Sequence, residues 1–153
     1  MQLGDFNIIN LSKLDENEIL KRINELFIQE VQGDLADTPV GIMKNAEILS
    51  SILPYYIELA SRTEKDYKTL KLDNDSKEYE KVVSLRNKYE QDYPDKKIPA
   101  MSYFESDARN QMKEERKKEI EKELRARRFK DIKTACIEQI QVLKKKQDGL
   151  KIV

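Results

Sequence analysis

The residues best suited to chemistry are bases, and they crowd the stretch EKELRARRFKDIK at 121–133. Arg125, Arg127, Arg128, Lys130 and Lys133 fall there within nine positions. Arginine offers a planar fork of donors that matches phosphate, and phosphate contacts dominate the affinity of proteins for nucleic acid. On a helix, Lys118, Lys122 and Arg125 share one stripe by steps of four and three, and Arg127, Lys130 and Lys133 share a neighbouring one. A second, shorter basic row runs through Arg62, Lys65, Lys68 and Lys71. The alternative is that these bases pair with acids elsewhere in the chain and bind nothing external.

The other ingredients of reaction chemistry are missing. The chain has no histidine, so the commonest general base and metal ligand is absent. It has no glycine loop to cradle phosphate, no paired cysteines and no nucleophile elbow. Acid pairs such as Glu114–Glu115 and Asp73/Asp75 are accounted for by a solvated helix face or a cap. We therefore expect a non-enzymatic protein with no cofactor and no metal. Cys136 is the single cysteine, so an intramolecular disulfide is impossible; a reducing, cytoplasmic setting is expected. No signal peptide is evident, and no apolar run reaches membrane length.

The elements that must position these bases are helical. Charged residues make up 38% of the 153 residues and hydrophobic ones 39%, with four glycines and four prolines. That composition favours an all-α protein with long solvated faces over a many-turned β protein. Charge is polarised along the chain. Residues 1–108 hold 14 bases and 21 acids, whereas 109–153 hold 15 bases and 8 acids. An acidic front and a basic rear suit head-to-tail self-association or an anionic ligand for the rear.

Asp15 and Glu18 predict a capping box ahead of an acidic helix carrying Ile19, Leu20, Ile23, Leu26, Phe27 and Val31, stopped at Gly33. Residues 1–37 are expected to form this helix and a short linker, and 38–153 a long-helix domain. Thr38-Pro39 predicts the start of a second helix. Pro54 should kink it or mark a restart, and Asp73-Asn74-Asp75-Ser76 should break it. A third helix carrying Tyr79, Val82 and Tyr89 ends at Tyr93-Pro94-Asp95. From Tyr103 to Lys146 there is neither glycine nor proline, which predicts one long C-terminal helix stopped by Gly149. Within it Phe129, Ile132, Cys136, Ile140 and Leu143 form a narrow coiled-coil-like seam, expected to join copies into a homo-oligomer. The fold expected is thus elongated helical hairpins with a long C-terminal helix. Tyr55, Tyr56, Tyr67, Tyr79, Tyr89 and Tyr93 fall mainly in the acidic half, several of them on apolar stripes, so core or interface roles are expected for them, and backbone contact is favoured over an aromatic platform for bases.

The order of these features resembles the single-strand-binding recombination mediators of large tailed phages, the UvsY type. In that family two long helices precede a C-terminal segment of small, aliphatic and basic residues. The matching stretch here is RFKDIKTACIEQIQVLKKKQDGL, Arg128 to Leu150, preceded by helices at 45–92 and 103–127. The resemblance covers roughly residues 45–150 as a pattern and leaves out the acidic helix at 15–32. It implies a ring-shaped homo-oligomer that binds single-stranded DNA, helps displace the single-strand-binding protein and seeds a recombinase. In the family the strand-binding bases lie near the first long helices; here that region is less basic, with the Arg62–Lys71 row alone. A helical protein-interaction module without nucleic acid, such as a scaffold, morphogenesis or anti-host factor, is the competing reading. Its partner surfaces would be the seam and the acidic helix at Ile19–Val31.

Overall fold

The structure, a computed structural model, describes residues 10–151. Every regular element among them is helical, so the protein is all-α. Two 3-10 turns, Leu11–Lys13 and Gly33–Asp37, flank helix α1 (Glu16–Phe27); α2 (Pro39–Asp92), α3 (Met101–Gln111) and α4 (Lys113–Lys151) follow. No helix among the described residues is long and apolar enough to cross a membrane.

The first helix forms as its sequence dictates. The Glu18 amide donates to Asp15 Oδ1 at 2.8 Å, and the Asp15 amide donates to Glu18 Oε2 at 2.9 Å, which satisfies donors the first turn leaves unpaired. Ile19 and Ile23 are buried on one face. Beyond α1 the chain is clamped at Val31. Its amide donates to Asn45 Oδ1 and its carbonyl accepts from Asn45 Nδ2 (2.8 and 3.0 Å). Gly33 then takes φ +68°, the left-handed region where a side chain would strain. The Thr38 hydroxyl accepts from the Gly41 amide at 3.1 Å and caps α2, with Pro39 in the first turn as expected.

Three expectations about helix ends are corrected. First, α2 runs unbroken for 54 residues through Asp73–Ser76. Asn74 is not a cap; its Nδ2 donates to the Glu115 carbonyl and to Glu119 Oε2 at 3.1 and 3.0 Å, and Lys77 pairs with Asp73 along the helix. Tertiary partners thus remove the competition that polar side chains offer a helix. Pro54 also lies within α2, with both Pro54 and Ser50 exposed, so water can reach the carbonyl that proline leaves without its donor. Second, the stretch from Tyr103 onward is two helices. Met112, wholly buried, has φ −97° and ψ 12°, a bridge conformation open to any residue, so the turn needs neither glycine nor proline. Third, α4 continues past Gly149 to Lys151.

Two compact units divide the described chain. One contains residues up to Arg62 and from Arg128 onward; the other contains Thr63–Arg127. Helix α1 belongs to the core of the first unit. In the first unit Ile19 and Ile23 of α1 pack with Ile48, Ile52 and Leu59 of α2, and Phe129 of α4 leans on the same cluster. Farther along, Leu143 packs with Ile42 and Ala46. Because α4 residues of rising number meet α2 residues of falling number, the two segments run antiparallel. In the second unit Val82, Phe104 and Ala108 make a separate core, with Leu85 and Tyr89 against it.

Candidate nucleic-acid interface

The polarity of the sequence is cancelled inside each unit. In the first unit the described residues up to Arg62 and from Arg128 onward together carry 12 bases and 12 acids. The second unit carries 17 bases and 16 acids. Antiparallel pairing brings the acidic front against the basic rear within one chain, as in the Lys146–Asp37 pair at 3.7 Å. Any anion site must therefore be local.

The first unit leaves little of one. Arg62 is committed to the fold: its Nε donates to Glu58 Oε1 at 2.8 Å, its Nη2 to the Leu11 carbonyl at 2.7 Å, and its Nη1 to the Leu14 carbonyl. A half-buried guanidinium serving three acceptors has little to offer a phosphate. Arg128 and Lys130 are exposed and Lys133 is half-buried. Arg128 follows the buried Ala126 by two residues, which puts it on the opposite side of α4 from that residue.

The expected oligomer seam is also occupied from within. Cys136, Ile140 and Leu143 are buried, Phe129 and Ile132 half-buried. The Cys136 thiol donates to the Leu49 carbonyl at 3.7 Å, and Leu143 belongs to the Ile42–Ala46 cluster. A two-helix seam needs one partner helix, and α2 of the same chain supplies it. Burial pushes the Cys136 thiol up from its ordinary range, and burial together with the nearby thiol pushes the Tyr56 hydroxyl up.

The second unit does gather bases. Lys65, Asp66, Thr69, Leu70 and Asp73 of α2 line one open groove with Lys122 of α4. Lys122 also joins Arg125, Thr63 and Asp66 around a neighbouring cavity of about 20 Å³. That space holds about one water and no phosphate, so an anion must lie in the open groove. Two acids share the site, but Asp73 is already paired with Lys77 at 2.9 Å, and the hydrogen bond from Lys77 to it is the main cause of that lysine's raised pKa. Lys65 and Lys122 thus line the groove with Asp66 and Asp73, the latter paired with Lys77, while Arg125 lines the neighbouring cavity. Lys68 and Arg127, expected in the site, instead pair along their own helices with Glu64 (2.9 Å) and Glu123 (3.2 Å).

Sequence reasoning put Lys122 on the stripe with Arg125 but did not join it to Lys65, which lies 57 positions earlier. Only the antiparallel register of α2 and α4 does that. Below the groove, Arg116 binds Asp75 at 2.9 Å, Glu119 at 2.7 Å and Glu78, and these bonds hold its guanidinium protonated far above the usual range. No group of three or more acidic, cysteine or histidine side chains able to hold a metal ion occurs among the described residues.

Comparison with family models, with curated proteins and with solved structures gave no match.

Proposed function

We propose that the protein is a non-enzymatic accessory factor that holds single-stranded DNA by its phosphates, with the groove of Lys65 and Lys122, and Arg125 at its neighbouring cavity, as the contact. The observation that carries this reading is that one lysine from each of two separately encoded basic rows, Lys65 and Lys122, lines one groove, with an acid of that groove already paired with Lys77. Lysines supply point charges and Arg125 a fork, a combination that tracks a backbone and ignores sequence. The resemblance to the UvsY-type mediators adds the biological setting: a homo-oligomer acting with a single-strand-binding protein and loading a recombinase. Because Cys136, Ile140 and Leu143 are spent within the chain, any such oligomer uses other surfaces.

A second reading, a helical protein-interaction module, is favoured by one observation, the near-neutral charge of each unit. Titration of labelled oligo(dT) followed by fluorescence anisotropy separates the two. The DNA reading expects binding at about 50 mM salt that weakens steeply by about 200 mM. Indifference to the oligonucleotide at low salt rejects it in favour of the interaction module.

A further inference from the structure

The α2–α3 turn of the second unit carries a cluster of rings and lysines that the groove does not use. Tyr89 and Phe104 make its floor: Phe104 is 3% exposed, and the two centroids lie 5.9 Å apart, edge to face. Two outer rings rest on that floor. Tyr93 sits 5.0 Å from Tyr89, and Tyr103 sits 5.3 Å from Phe104 at 87°. Tyr93 is 44% exposed and Tyr103 62%. Large aromatics exposed to this degree, yet held against a buried ring (Phe104) or a half-buried one (Tyr89), are preorganised contact surfaces.

Cations stand beside them. Lys96 Nζ lies 4.4 Å from the Tyr93 centroid, and Lys97 follows it, both exposed. The turn is stiffened by Pro94 and Pro99 and closed by the Lys96 amide donating to the Tyr93 carbonyl at 3.1 Å. Asp92 and Asp95 also lie here, so the turn is not a plain electrostatic patch.

We infer that this turn is a base-stacking site for single-stranded nucleic acid, with Tyr103 and Tyr93 as platforms and Lys96 and Lys97 as phosphate contacts. Every nucleobase has a π-face, so exposed rings beside mobile cations hold unpaired strands with little sequence preference. Lys96 can exchange its ring contact for a phosphate oxygen while a base takes the ring face. An apolar protein partner would instead find its contact interrupted by two lysines and two aspartates. The inference rests on the proposed DNA binding and adds to it: the groove supplies charge, the turn supplies stacking.

The two parts are separable because stacking barely contributes to counterion release. We expect Tyr93→Ala with Tyr103→Ala to weaken oligo(dT) binding roughly ten- to hundredfold while the slope of log affinity against log salt stays unchanged. The chain has no tryptophan, so Tyr103→Trp supplies a single reporter. The fluorescence of that variant should be quenched by oligo(dT) but not by an abasic oligomer of equal length. Wild-type affinity in the double variant together with an unquenched Tyr103→Trp overturns the stacking site and leaves the groove standing. No binding by the unaltered protein at low salt overturns both.

Discussion

Asn74 and Arg116 show how one residue type can be read two ways. In sequence, Asp73-Asn74-Asp75-Ser76 is a run of cap formers. In the fold, Asn74 is 1% exposed, donates both ways across to α4, and leaves Oδ1 without a protein partner. Removing Asn74 takes one donor each from the Glu115 carbonyl and from Glu119, which keeps Arg116, whereas removing Arg116 takes the charge that serves three carboxylates. Arg116→Leu should therefore lower stability by about 2 kcal/mol in urea unfolding, less than a fully buried pair because solvent reaches Asp75. Asn74→Leu should lower it by about 1 kcal/mol. Equal losses in the two variants would contradict this account of the network. Cys136 and Tyr56 set a pH limit. Both are held in the protonated form when folded, so unfolded chains shed those protons first as pH rises. Stability should fall as pH rises above about 9, with Cys136→Ala removing the earlier part of the fall. A melting temperature that rises between pH 8 and 10 would refute that assignment.

At the scale of the element, the helix starts were legible and the stops were not. Starts depend on local chemistry: the Asp15–Glu18 box and Thr38-Pro39 work as their residue types demand. Stops here depend on distant partners. Asp73–Ser76 stays helical because α4 supplies acceptors, and the turn at Met112 is made by a residue with no turn preference. Asp15→Ala should cost about 1 kcal/mol, read from thermal or urea unfolding. Gly41 offers a sharper test of the 3-10 turn. A Cβ there would lie 2.0 Å from the Leu35 carbonyl oxygen, so Gly41→Ala must displace the turn or the start of α2. We expect a loss of about 2 kcal/mol or more, and a change confined to a few tenths would show the approach to be looser than described.

For the molecule as a whole, composition was enough to name an all-α protein, and hydrophobic spacing found the face that α4 buries. What the spacing could not say is which helix covers that face. Phe129, Cys136 and Leu143 pack as well against α2 of their own chain as against a second copy, because a seam specifies a partner helix and not its owner. Charge carried the same ambiguity: the acidic front and basic rear predicted attraction, and the antiparallel fold satisfies it internally. Lys65 and Lys122 still meet across one groove, with Asp73 of that groove paired with Lys77 and Arg125 at the neighbouring cavity, and the proposed strand binding rests on these bases. Its most direct test is the salt dependence of oligo(dT) binding in the unaltered protein and in Lys65→Ala/Lys122→Ala/Arg125→Ala. Three lost phosphate contacts should flatten the slope of log affinity against log salt by about 2, at about 0.7 per contact on a single strand. A slope unchanged by the triple substitution would contradict the groove as the site of strand binding.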